Sequence, residues 1–348
     1  MSANPDRVFE ELPNGTWDSK NPHMHIGTQR YNVTDEHLGF LARCGVNAMA
    51  ANKMTYYPEI GWNVDELGAM KEKAAGFGVA LEMVALPLNK LSEDGQWTPH
   101  YMRGDFDKGE KEVEMVCKMV RAAGEAGIPA IKYFLCEMEN QRTLSDPPGR
   151  GGVHYSTWDL SKADPEDQRW EEEVSADQNW ERVTFFLERV IPVAEKYKVR
   201  MACHPCDPWL PAGYRGVDRI LSGFDGFSKF IEICESPYHG LNLCLGCMAE
   251  SVENPREDVP KILRYFGEKK KIHLIHYRNI VGRQNKFQEV YPDEGDMDML
   301  ALMQALKDVG YPHMVVPDHA PQHGAPGHRE QAFAFQFGFI KAMMLAVK

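Results

Sequence analysis

Cysteine is scarce in this chain: eight among 348 residues, at spacings that trace no disulfide scaffold. A small, stapled secreted fold is thereby excluded, and the thiols are expected to be reduced, as in the cytoplasm. Long apolar runs are missing too; none approaches the roughly 20 residues that a bilayer-crossing helix needs. The opening MSANPDRVFEELPNGTW is acidic and polar and lacks the apolar centre of a secretory signal. Positive charge is in deficit, 39 Lys and Arg against 51 Asp and Glu, for a formal net charge of −12. That balance speaks against a nucleic-acid or anionic-membrane partner. An anionic small molecule stays open, because arginines or a metal inside a cleft reverse the local field. Neither G-x-G-x-x-G nor G-x-x-x-x-G-K-[ST] occurs in the early turns, so a nucleotide-binding sheet lacks its fingerprint.

What is present is an alternation of strand-like and helix-like segments. Short apolar runs at 24–29, 46–51, 79–87, 128–135, 199–204, 241–246, 271–277 and 313–318 read as strands. Between them lie helical stretches, the first opened by Thr34 with Asp35 and Glu36 in its first turn, where carboxylates suit the helix dipole. The helix after 175 is marked by Trp180, Val183, Leu187, Val190, Ala194 and Tyr197 at three- and four-residue steps. Eight strand–helix units predict a single (β/α)8 TIM barrel rather than an open sheet. Residues 1–22 read as an N-terminal extension and 23–348 as one barrel domain. A Gly-, Pro-, Asp- and Glu-rich insertion over about 136–175, after strand four, reads as a lid or cover.

Active sites of such barrels sit where strands pass into the following loops. The last four strands end in VRMACHP, LNLCLGC, KIHLIHYRN and HMVVPDH, which puts His204, Cys244 or Cys247, His276 and Asp318 at four consecutive strand ends. Singly, each has a bland explanation as a satisfied polar group, a buried space-filler or a cap. Together they predict a site for a divalent ion, and the mixed N, S and O donors suit Mn, Fe, Co or Zn alike. A C-x2-C…C-x2-C zinc ribbon built from Cys203, Cys206, Cys244 and Cys247 is disfavoured, because a helix and a strand intervene.

The motifs C-H-P-C-D-P (203–208), G-L-N-L-C-L-G (240–246), H-L-I-H-Y-R-N (273–279), G-D-M-D-M (295–299) and P-D-H (317–319) resemble the signatures of the D-mannonate dehydratases, in that family's order. Over the first half the likeness is thinner, resting on I-G-T-Q-R-Y and Gln141-Arg142-Thr143. The resemblance implies a xylose-isomerase-like metal-dependent barrel with Mn2+, or Fe2+, Co2+ or Zn2+, held by His204, Cys244, His276 and Asp318. It favours Cys244 over Cys247 and His276 over His273. It further implies His319 as an acid/base residue and Arg142, Arg278 and Asn279 as holders of a sugar-acid substrate, with homo-oligomers expected. The implied reaction converts D-mannonate to 2-keto-3-deoxy-D-gluconate by C2 proton abstraction and loss of the C3 hydroxyl.

Three positions depart from that pattern. His328 follows Pro326-Gly327 where the family has a catalytic tyrosine, and as a histidine it is a second acid/base candidate. Cys206 stands where a carboxylate is usual, and Phe134 follows Tyr133 where the family has Asn. A metal-dependent sugar isomerase or epimerase on the same barrel, and a non-catalytic metal-bearing barrel, are the competing readings.

Overall fold

Eight parallel strands close on themselves, and the loops leaving their C-terminal ends converge on one mouth. The computed structural model describes residues 23–143, 148–167, 169–170 and 172–347; the expected extension over 1–22 lies outside them. In chain order the strands are β1 (His25–Thr28), β2 (Ala48–Ala51), β3 (Ala80–Ala85), β4 (Ala130–Phe134), β5 (Thr157–Asp159) and β6 (Arg200–His204). They continue with β7 (His239–Cys244), β8 (Ile272–His276), β9 (Asn279–Arg283), β10 (Lys286–Val290) and β11 (Met314–Val316). The barrel runs β1-β2-β3-β4-β6-β7-β8-β11 and back to β1. This is the (β/α)8 architecture expected from the alternation.

Small side chains let the barrel close around a filled interior. Ala48, Ala50, Ala130 and Ala202 face inward with Met83 and Met314 among them, all buried. A larger apolar shell packs between strands and helices, as both faces of a parallel barrel are covered. The helices begin where the sequence places caps. Thr34 accepts from the His37 N–H at the start of α1 (Asp35–Arg43), and Ser175 with Gln178 forms a capping box on α4 (Ala176–Tyr197). Val183, Leu187, Val190 and Ala194 make the buried face of α4. Among the described residues no helix is long and apolar enough to cross a membrane.

Two features go beyond the sequence reading. The first is a three-stranded antiparallel sheet, β5-β10-β9, set beside the mouth. It joins the insertion after β4 to the segment after β8, where no strands were expected. The insertion is tied further by bridges from Thr143 to Thr157 and from His154 to Gln322, so its described part forms a fixed cover.

The second corrects the expectation of reduced thiols. Cys136 and Cys206, 70 residues apart, form a disulfide with Cα atoms 5.6 Å apart. The six remaining cysteines are free. Strands β4 and β6 are neighbours with Phe134 level with His204, so positions two residues beyond each strand meet. Sequence spacing carries no trace of that proximity.

Candidate active site

The strand registers set the site. Cys244 pairs with His276 between β7 and β8, and Val316 of β11 pairs with His276, which brings Asp318 to the same level. His204 ends β6 beside them. One ligand atom from each of His204, Cys244, His276 and Asp318 lies within 4.8 Å of every other. Three of the four are buried, and His204 is half-buried.

The donor chemistry fits a cation. His204 Nδ1 donates to the Pro205 carbonyl at 2.7 Å, which leaves Nε2 bare and 3.1 Å from His276 Nδ1. On its other side His276 Nε2 is 3.0 Å from the Asn242 amide. Asn242 Oδ1 is buried without a hydrogen-bond partner. Exchanging the two ends of that amide lets Oδ1 accept from Nε2–H and leaves a lone pair on Nδ1 facing His204. Cys244 Sγ and Asp318 Oδ2 stand 3.7 Å apart. Burial opposes the Cys244 thiolate, but its contact with Cys247, the Arg278 charge and the two imidazoles outweigh burial and hold the thiol well below its usual range. Asp318 is likewise held down against burial by His319, His276 and Arg278. Two bare imidazole nitrogens, a thiolate and a carboxylate at this spacing are complementary to a divalent ion.

A second group of similar composition lies alongside: Asp207, Cys247 and Glu250, all buried. Here a cation of the chain already occupies the centre. Arg278 contacts Asp207 at 3.2 Å, Glu289 at 2.7 Å, Glu250 at 2.5 Å and Cys247 Sγ at 3.2 Å. Arg142 adds a second guanidinium, 2.6 Å from Asp207 and also paired with Glu289. A Cβ on Gly246 would fall 2.1 Å from the Arg278 side chain, so the glycine makes room for the guanidinium. Cys247 therefore belongs with the arginine and Cys244 with the histidines.

His319 links the two groups. Its Nδ1 hydrogen-bonds the Glu289 carboxylate, and its Nε2 points back toward Asp318 at 3.6 Å. Burial opposes its protonation, but the Asp318 and Glu289 charges prevail and raise its pKa. Glu289 is held down to about 2 because His319, Arg278 and Arg142 overcome its burial.

Two cavities open onto these residues. The inner one, about 330 Å³, is lined by His204, His276, Asp318 and Lys132 among others. The outer one, about 810 Å³, is lined by His154, Arg278, Gln322 and His328. Arg30, Asp318 and His319 line both. His328 opens α9 (His328–Ala346) and stands on the outer cavity's wall, edge-on to His323. The structure thus gathers the four expected ligands and His319, and sets His328 further out. Asn279 lies elsewhere: its buried amide donates to the Pro292 and Met297 carbonyls and accepts from the Ile280 and Met297 N–H groups.

With this geometry in place, comparison with known proteins is informative. Residues 166–335 match the family described as D-mannonate dehydratase (UxuA). A mannonate dehydratase of Thermotoga neapolitana is 35% identical over 149 residues, 42% of this chain. That match spans 40% of the Thermotoga protein's length. The Enterococcus faecalis mannonate dehydratase is 25% identical over 343 residues, 87% of this chain and 92% of its own. The crystal structure of mannonate dehydratase from Streptococcus suis serotype2 superposes with a TM-score of 0.79 at 22% identity, covering 94% of each chain. The chain is thus similar to the D-mannonate dehydratases, with the family match confined to its second half. A solved L-ribulose 3-epimerase, at 14% identity and a TM-score of 0.59 over 93% of this chain and 95% of its own, shares the fold.

The family match spans His204, Cys244, His276, Asp318, His319 and His328, together with the Arg278 group. It leaves out the mouth residues of the first four strands. Several residues of this site were given no role in the sequence reading: Gln29, Arg30, Lys132, Asp207, Glu250 and Glu289. Four carried a signal: Gln29 and Arg30 lie in the I-G-T-Q-R-Y stretch. Lys132 interrupts the apolar run of strand four, and Asp207 sits inside the C-H-P-C-D-P motif. Glu289 carried none, because its strand was not foreseen.

Proposed function

We propose that this protein is a metal-dependent hydro-lyase that removes water from a sugar acid, with D-mannonate as the first substrate to test. The observation that carries the reading is the convergence of His204, Cys244, His276 and Asp318 on an open cavity beside His319. A divalent ion held by those four residues would act as a Lewis acid toward the carboxylate and neighbouring hydroxyl.

The chain's own residues supply the proton chemistry. Glu289 fixes the Nδ1 side of His319 and turns Nε2 toward the cavity, so proton transfer is assigned to Nε2. His328, on the wall of the outer cavity, is positioned as the second transfer group, serving the departing C3 hydroxyl. Arg278 and Arg142 are already engaged by Asp207, Glu250 and Glu289, so their part is to hold Glu289 ionised rather than to take the substrate carboxylate in a free fork.

Mn2+ as the ion, a cytoplasmic location and homo-oligomerisation belong to the same reading. The N, S and O donor set supports a first-row divalent ion. The Cys136–Cys206 disulfide is the feature at odds with a reducing compartment. The test is turnover by the purified chain loaded with Mn2+ on a panel of aldonates. A 2-keto-3-deoxy acid is expected from D-mannonate. A metal-loaded protein that releases no keto acid from any aldonate would overturn the reading, and C2 deuterium exchange without dehydration would favour an epimerase.

A further inference from the structure

A sugar acid brings a negative charge into a site already rich in them. Asp318 and the Cys244 thiolate surround the ligand group, and Asp207, Glu250 and Glu289 surround two arginines. Arg142 and Arg278 are thus already engaged by acidic side chains of the chain itself. The cations among the described residues lining the inner cavity are Arg30 and Lys132. Arg30 is committed to Asp318, donating through Nε to its carbonyl at 2.8 Å and lying 3.3 Å from its carboxylate.

Lys132 is placed differently. It sits on β4 level with Ala85 of β3 and Ala202 of β6, so neither neighbour has the bulk to cover its ammonium. The Nζ donates to Gln29 Oε1, a neutral acceptor, and Gln29 Nε2 donates in turn to Asp318 Oδ1 at 2.8 Å. One amide side chain therefore separates the ammonium from the ligand group. The stacked rings of Trp97 and Phe134, 5.4 Å apart, line the same cavity and give it an apolar wall. Burial, with Arg30, lowers Lys132 to about 7. An ammonium so desolvated gains more from an incoming anion than one in water does.

We propose that Lys132 binds the substrate's carboxylate in the inner cavity and so selects acids over neutral sugars of the same configuration. This rests on the sugar-acid reading above and gives that reading its specificity residue. Phe134 and Lys132 lie on the same inward face of β4, so the strand departs from the family pattern beside the ammonium and supplies an apolar wall and a cation together.

The test measures binding to metal-loaded protein by calorimetry. The probes are 3-deoxy-D-mannonate, which lacks the leaving hydroxyl and so does not react, and the neutral 3-deoxyalditol of the same configuration. Lys132→Met is expected to weaken the acid by about 30-fold while leaving the alditol and metal affinity within about 2-fold. Lys132→Arg should retain most of the acid affinity. Should the methionine variant fail to fold, Lys132→Gln, which keeps a donor for Gln29, reads the same ratio. Equal losses for acid and alditol, or no loss for either, would overturn the proposal. If the wild-type chain binds metal but neither probe, the sugar-acid reading itself falls.

Discussion

Two clusters of nearly the same ingredients lie side by side at the barrel mouth, and they do opposite things with charge. His204, Cys244, His276 and Asp318 turn bare donor atoms toward one another around an open cavity. Asp207, Cys247, Glu250 and Glu289 turn theirs toward Arg278, which is 2% exposed. The cysteines show the division most directly. Cys244 is held well below the usual thiol range, whereas burial and the neighbouring Cys244 push Cys247 well above it. One cluster leaves its centre open to a cation from solution; the other carries a guanidinium. Composition alone does not make a metal site. What matters is whether the chain has already filled the centre.

Emptying the filled cluster should have the largest effect. Arg278→Met leaves Asp207, Glu250 and Glu289 buried around an apolar side chain, and a broken buried ion pair costs about 3–5 kcal/mol. The expected outcome, read by denaturant unfolding of the metal-free protein, is a loss of that size. The acid limb should change as well. Glu289 is depressed from 4.5 to about 2, so its stabilisation is present above the unfolded value and lost as pH falls from 4.5 toward 2. Without Arg278 that limb should become shallower. Unchanged stability at neutral pH would mean the two clusters are not the different devices described.

The open cluster should respond in the reverse manner. His276→Ala is expected to lower divalent-ion affinity by at least about 100-fold, more than the loss of an outer partner of a ligand. It should cost the metal-free protein less than Arg278→Met does, because it removes a donor rather than stranding carboxylates. Calorimetric titration with Mn2+ and unfolding in chelator read the two quantities. An affinity that survives His276→Ala would place the ion elsewhere.

The same contrast explains what was legible in the sequence. The barrel followed from strand–helix alternation and from caps such as Thr34, because both are local and carry their own physical cause. The four ligand candidates were legible because each ends an apolar run, and register does the rest. The ring around Arg278 was not. It draws Asp207 from beyond β6, Glu250 from the C-cap of a short helix after β7 (Leu245–Ala249) and Glu289 from β10, and only tertiary folding makes them neighbours. The Cys136–Cys206 disulfide was hidden for the same reason. Choosing Cys244 over Cys247, three residues apart, took a family resemblance, since both lie near the end of one strand.

That choice yields the smallest effect and the sharpest contrast. Cys244→Ser exchanges a soft, ionised sulfur for a hydroxyl that stays protonated, and should weaken Mn2+ binding by about 10-fold or more, with a greater loss for Zn2+. Cys247→Ser keeps a neutral group beside Arg278, where the thiol already accepts a contact at 3.2 Å, and a serine oxygen accepts from a guanidinium at least as well. Metal affinity should then shift by no more than about 2-fold, and stability by less than about 1 kcal/mol. The ratio between the two variants, measured in one titration series, is independent of which ion is native. Equal losses from both serines would mean that a single shared thiol network, not two separate clusters, holds the ion.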